Sequence, residues 1–243
     1  KFIYLLDLLK KIIYQCFIMS KIDLIYEDNC IRIWVYPSGI IETNFYILSD
    51  KYNNVIFIDP AIHFIDEFDI LYNFVDNNNL VPSFIINTHG HFDHISGIDK
   101  IREKYSIPLM ISKIDSKMIM DSSLNFSKTL SLDIELKEAD IKIDNEEIIF
   151  AGEMDIKPIF TPGHTRGSIC YLVNNIVLFS GDILFKSSIG KCFSIDNLKL
   201  EKKMIREKLF SLDDKTIVFP GHGDKTTIGE EKASNPFVNC NEC

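Results

Sequence analysis

The sequence predicts one α+β domain, with strands laid down first and helices set over them. Three observations carry this. The chain has 243 residues, 46% of them hydrophobic, which suffices for a single large core. Residues 31–58 read as three strands in succession, and residues 63–111 then alternate helix and strand, the pattern of a sheet covered on its outer face. Residues 141–219 follow the same logic again, with no internal sequence repeat and no linker between the halves.

Taken in order, residues 1–20 are apolar but broken by Asp7, Lys10 and Lys11. A membrane span needs about 20 mostly apolar residues, so no span is expected here. The block is read as a leader outside the mature fold, with Met19-Ser20 a natural start and residues 21–243 forming the domain. Strands follow at 31–36, 40–48 and 55–58, separated by a Pro37-Ser38-Gly39 turn and a polar loop at 49–54. Apolar positions from Phe64 to Val75 fall near helical spacing, which makes 63–79 a helix closed by Asn77-Asn78-Asn79. A short buried strand at 84–86, a helix at 95–105 and a strand at 108–111 come next. Residues 112–140 are polar and rich in Ser and Asp, and are expected to form loops over the site with a helix at 114–121. Strands at 141–143, 148–150, 157–160, 168–172 and 176–179, a helix at 198–211 and a strand at 216–219 complete the chain.

A formal net charge of -9 argues against nucleic-acid binding, which requires a basic face. The six cysteines (Cys16, Cys30, Cys170, Cys192, Cys240 and Cys243) show no regular framework. That favours reduced thiols and a cytoplasmic setting, with an organelle the alternative if residues 1–20 act as a targeting leader. The terminal pair Cys240-Asn-Glu-Cys243 is read as a frayed tail.

The chemistry concentrates at Thr88-His89-Gly90-His91-Phe92-Asp93-His94, directly after the apolar run Phe84-Ile85-Ile86. His89 and His91 are two apart, so on extended backbone their imidazoles project the same way and can share one ion. Asp93 and His94 follow the turn and suit a second. Two more of the six histidines sit in comparable settings, each after an apolar run and a Pro-Gly turn: Thr161-Pro162-Gly163-His164 and Pro220-Gly221-His222-Gly223. The run 176–179 ends in Ser180-Gly181-Asp182, which places a carboxylate at a strand end. His63 falls outside the pattern and is taken as a surface residue.

These four motifs, in this order, resemble the metallo-beta-lactamase superfamily, and within it the short single-domain proteins of the glyoxalase II (hydroxyacylglutathione hydrolase) type. The resemblance covers roughly residues 31–238. It implies a four-layer αββα sandwich of two half-domains. It also implies two divalent metal ions, zinc foremost with iron or manganese as alternatives, held by His89, His91 and His164 and by Asp93, His94 and His222, with Asp182 bridging. Two such ions share one water and lower its pKa from 15.7 to about 7, so no Ser or Cys nucleophile is required. Asp93 and Asp182 are therefore the catalytic carboxylates, Asp93 also as a proton acceptor, and Ser180 only shapes its turn. The implied substrate is a small-molecule thioester, S-D-lactoylglutathione yielding D-lactate and glutathione.

Specificity is expected from the loop after Asp182. Lys191 matches a lysine that the family turns toward glutathione, and Phe193 stands where a tyrosine would. The alternative for Lys191 is a solvated loop lysine. Asn44 matches a residue the family often keeps, Ala61 replaces a common glycine, and Arg166 replaces a common proline and is expected to face solvent. The helical domain that animal-type relatives carry after the last histidine has no counterpart in the residues after His222. Rival expectations are a mononuclear iron persulfide dioxygenase using His89, His164 and Asp182, a lactonase or other ester hydrolase, and a beta-lactamase. Asp182 weighs against the last, whose members usually carry Cys there. A non-catalytic binding module would be expected to lose ligands, and all seven are present.

Overall fold

The computed structural model describes residues 22–239. The leader expected at 1–20, together with Cys16, Cys240 and Cys243, lies outside the described residues.

The first half builds a seven-stranded sheet in simple sequence order: β1 (Asp23–Glu27), β2 (Ile31–Ser38), β3 (Thr43–Asp50), β4 (Asn54–Ile58), β5 (Val81–Ile86), β6 (Leu109–Ser112) and β7 (Ile141–Ile143). The first four strands pair antiparallel, and β4 to β7 run parallel. The change of direction coincides with α1 (Ile65–Asn77), because a parallel pair needs a crossover and a helix supplies it. α2 (Phe92–Ile95) and α3 (Ile98–Tyr105) fill the next crossover. The second half adds a six-stranded sheet in the order β15-β14-β11-β10-β9-β8, from β8 (Ile149–Ala151), β9 (Met154–Phe160), β10 (Ile169–Val173), β11 (Val177–Gly181), β14 (Ile217–Pro220) and β15 (Thr226–Thr227). A small hairpin of β12 (Leu184–Phe185) and β13 (Ser188–Ile189) stands apart. Outside this sheet lie α4 (Ile195–Met204), a π-turn at Ile205–Leu209, α5 (Ile228–Ser234) and α6 (Pro236–Asn239).

Side-chain alternation distributes these strands between three cores. All eight residues of β3 are buried, and successive ones belong to different layers. Phe45 and Ile47 pack with Phe57, Phe68, Leu71 and Ile98 beneath the helices of the first half. Tyr46 and Leu48 face the other way, among Ile156, Tyr171, Phe179 and Phe219 of the second sheet. On that sheet's far side, Cys170, Leu172, Leu178 and Val218 pack against Ile205, Leu209 and Ile228. Helix, sheet, sheet, helix is the four-layer order that the family resemblance implied.

The differences from expectation are at element ends. Strand β2 runs on through Pro37 and Ser38, which were expected to turn. Pairing with β1 stops at Val35, so beyond it β2 has an open edge on which a proline is tolerated. Strand β3 extends to Asp50 and shortens the expected 49–54 loop. α1 is fixed by Glu67, whose carboxylate accepts the His63, Phe64 and Gly39 amides at 2.9 Å each. His63 is half-buried at that entry, and the expected 198–211 helix begins earlier, where the Ser194 hydroxyl caps the Asn197 amide. The helix expected at 114–121 is a tighter 3₁₀ turn, Asp115–Met120.

Candidate metal centre

Every sequence-predicted ligand arrives at one place, the end of the sandwich where β4, β5, β11 and β14 terminate. β5 ends at Ile86, and the irregular segment after it carries His89 and His91. His91 precedes α2, so Asp93 and His94 project from a single helical turn. His164 lies in the loop between β9 and β10, Asp182 follows β11, and His222 follows β14. Ligands therefore come from both sheets.

Three groups of donors have ligand atoms within 4.8 Å of one another: His89, His91 and His164; Asp93, His94 and His222; and Asp59, His89 and His94, the last sharing both its histidines with the other two. Nε2 of His164 stands 2.8 Å from Nδ1 of His91. Asp182 sits between the groups, with one carboxylate oxygen 3.3 Å from Nε2 of His94 and the other 3.6 Å from Nε2 of His164 and 3.7 Å from Nε2 of His222. Asp93 lies 3.2 Å from His94 and 3.3 Å from His222.

The outer nitrogens are committed, and this decides which lone pairs face inward. His94 donates from Nδ1 to Asp59 at 2.9 Å, and His164 donates from Nδ1 to the Lys191 carbonyl at 3.0 Å. His89 donates from Nδ1 to the Thr88 hydroxyl at 3.1 Å, which in turn donates to Asp59 at 2.6 Å. The inner atoms Nε2 of His89, Nε2 of His94 and Oδ1 of Asp182 are buried and lack a hydrogen-bond partner. Buried polar atoms without partners are rare, and three converging on one point, all borne on His and Asp, suit divalent cations.

Electrostatics agree at the first donor group; at the second, burial works against charge on His94, but the Asp93, Asp182 and Asp59 carboxylates outweigh it and hold its pKa well above the usual histidine range. Burial, then the neighbouring imidazoles, hold His89 well below the usual histidine range, and burial takes His91 down to about 3. Burial likewise lowers His164. These rings are neutral at physiological pH, the state a ligand needs. Burial works against ionisation of Asp93 and Asp182, but the surrounding histidines outweigh it and hold both below the usual carboxylate range.

Close packing explains the small residues of the motifs. A Cβ on Gly221 would stand 2.3 Å from Oδ1 of Asp182 and 2.7 Å from Cε1 of His94, so only glycine lets the last loop approach. Asn44 ties that loop to the first sheet, donating to the Pro220 carbonyl at 3.0 Å and the Gly223 carbonyl at 2.9 Å. The Tyr46 hydroxyl also donates to Pro220, at 2.6 Å.

The specificity residues occupy the rim. Lys191 is exposed, and the atom it presents to the centre is its carbonyl oxygen, on His164. Phe193 is 58% exposed, its ring 6.3 Å from that of His91. Arg166 is exposed, and the Ser180 hydroxyl donates to the Leu184 carbonyl at 2.7 Å, the turn-shaping part expected of it. The sequence reading missed Asp59, Thr88, Asp115 and Phe126. Asp59 had a usable signal, since like Asp182 it follows a buried apolar run at a strand end. Phe126 had none, although its ring lies 5.0 Å from His91 and 4.9 Å from Phe193.

A β-sandwich closed by helices on both sides, with His and Asp donors gathered at one end, is a metal-binding scaffold. The chain belongs to the metallo-beta-lactamase superfamily, whose family model matches residues 41–222. It is 35% identical over 206 residues to the probable metallo-hydrolase YqgX of Bacillus subtilis, covering 84% of this chain and 95% of the relative. Hydroxyacylglutathione hydrolase GloC of Haemophilus influenzae is 29% identical over 212 residues, covering 86% and 98%. Among solved structures, the BLEG-1 B3 metallo-beta-lactamase superposes with a TM-score of 0.79 at 34% identity, over 86% of this chain and 100% of that one. No helix among the described residues is long and apolar enough to cross a membrane.

Proposed function

We propose that this chain is a binuclear metal-dependent hydrolase of small-molecule thioesters, with S-D-lactoylglutathione as the type substrate and D-lactate and glutathione as products. The observation that carries it is the position of Asp182, whose two oxygens address histidines of both donor groups. In this reading His89, His91 and His164 hold one ion, Asp93, His94 and His222 the other, and Asp182 serves both. Zinc is the first choice, and the donors also accept iron or manganese. When bound, such a pair supplies Lewis acidity and a hydroxide nucleophile at neutral pH.

The chain's own residues do the rest. Asp59 and the Lys191 carbonyl keep the imidazole lone pairs turned inward. Asp93, held ionised and supported by the Thr43 hydroxyl at 3.2 Å, is the proton acceptor during attack. A thiolate departs without obligatory protonation, so no further acid is needed. The Lys191 ammonium and the Phe193 ring, at the rim, meet the thiol portion of the substrate. The irregular cysteine spacing supports a reducing, cytoplasmic compartment, with an organelle the alternative if residues 1–20 act as a targeting leader.

The test is elemental analysis of the full chain combined with thiol release from S-D-lactoylglutathione. About two ions per chain with thiol release is expected. One iron per chain, no thiol release and O2 uptake on glutathione persulfide would replace the proposal with a dioxygenase. The 34% identity to the B3 enzyme favours beta-lactam hydrolysis as a second reading. A chromogenic cephalosporin turned over faster than the thioester would select it.

A further inference from the structure

His89 and His91 belong to the first sheet's end and His164 to the second's, so something must fix the distance between their loops. Asp115, 1% exposed, lies between them. Its Oδ2 accepts the Gly90 amide at 3.2 Å and the Thr165 hydroxyl at 2.6 Å, and its Oδ1 accepts the Gly167 amide at 2.9 Å. Gly90 separates His89 from His91, and Thr165 follows His164 directly. Asp115 is itself anchored, its amide donating to the Ser112 hydroxyl at the end of β6 at 3.0 Å. The fit is tight. A Cβ on Gly167 would stand 2.2 Å from Oγ of Ser112 and 2.4 Å from Oδ1 of Asp115, so the second loop is pressed onto this carboxylate.

We infer that Asp115 is a positioning residue: one buried carboxylate clamps the two loops that carry His89, His91 and His164, and so sets the affinity of that donor group for its cation. The inference rests on the ligand assignment proposed above. Asp115 touches no ligand atom itself. It acts on two backbone amides and one hydroxyl flanking the histidines, where a loosened loop separates donors that must converge. The loop that bears His222 has a separate tie in Asn44, and Asp115 makes no bond to it.

The experiment is a competition titration of Zn²⁺ against a chromophoric chelator, using the metal-free full chain as wild type, Asp115→Ala, Thr165→Val and Thr165→Ser. His164→Ala and His222→Ala identify which binding step belongs to which donor group. Partners that orient ligands are worth 10–100-fold in metal affinity. Asp115→Ala should weaken the step lost in His164→Ala by about that much and the step lost in His222→Ala distinctly less. Thr165→Val should weaken the same step less, and Thr165→Ser should restore it. Melting of the metal-free proteins is the control. A lower melting temperature with both steps unchanged, or both steps weakened alike, overturns the clamp. If Asp115→Ala does not fold, the Thr165 pair decides by the same criterion. Wild type that binds its ions yet releases no thiol would overturn the substrate assignment and leave the clamp to be judged on the titration.

Discussion

Asp59 stands outside the proposed ligand set, yet two histidines of that set hang from its carboxylate, one directly and one through Thr88. It is 2% exposed, in the left-handed backbone region with φ 52°, at the point where β4 must give way to the site. Asp59→Ala frees the outer nitrogens of His94 and His89 to rotate and change tautomer. Metal affinity or activity should drop about 10–100-fold by titration and assay, with the fold retained by circular dichroism. Asp182→Ala should act more broadly, abolishing two-ion binding and thioester hydrolysis together. Retained activity in that variant would sink the bridging assignment. At this scale the sequence shows chemistry-bearing residues that cluster or repeat a setting, such as His164 and His222 after their Pro-Gly turns. It hides residues such as Asp115, whose part is defined only by the loops it happens to meet.

Among the elements, β3 and its hairpin to β4 show how one carboxylate organises a turn and then reaches further. Asp50, wholly buried, accepts the Tyr52 amide at 2.8 Å, the Asn54 amide at 2.9 Å, the Asn54 side chain at 2.8 Å and, from the second half of the chain, the Glu153 amide at 3.3 Å. With net contributions near 1 kcal/mol each for bonds of this kind, Asp50→Ala should lose about 2–4 kcal/mol at neutral pH, read by denaturant unfolding. The sign with pH follows from the same contacts. Burial raises the Asp50 pKa, but the amide donors outweigh it and the pKa ends below the ordinary 3.8. The folded state thus favours the ionised form, so this stability is complete above that value and disappears as pH falls through the lower folded value. The gap between wild type and Asp50→Ala should accordingly close in acid. Elements with a period were legible: the strands through residue 58 and the helix near 63–79 came from alternation and spacing. The region 112–140 was not, because its order comes from side chains bonding to nearby backbone. Asn125 donates to the Ile134 carbonyl at 2.7 Å and accepts the Ser127 amide at 2.9 Å, which leaves no hydrophobic rhythm to read.

For the molecule as a whole, two sheets share one layer of core and one set of donors. Ions bound by both halves favour the docked state, and binding at a thousandfold excess over Kd is worth about 4.1 kcal/mol. At about 2–4 °C per kcal/mol for a chain of this size, adding a chelator should lower Tm by roughly 10 °C in calorimetry. An unchanged Tm would mean that the donors gather without holding an ion.

The tie between Asn44 and Pro220 spans 176 residues of sequence, and the approach of His91 to His164 spans 73. Contacts of that separation carry a large loop-closure cost, so they are expected to form after the strands between them have paired. Nothing that depends on them can guide the early chain. Metal should therefore leave the refolding limb of a chevron plot unmoved and lower only the unfolding limb. The ion acts as a latch on a finished molecule, and a newly made chain acquires its chemistry in the same instant that it becomes slow to come apart.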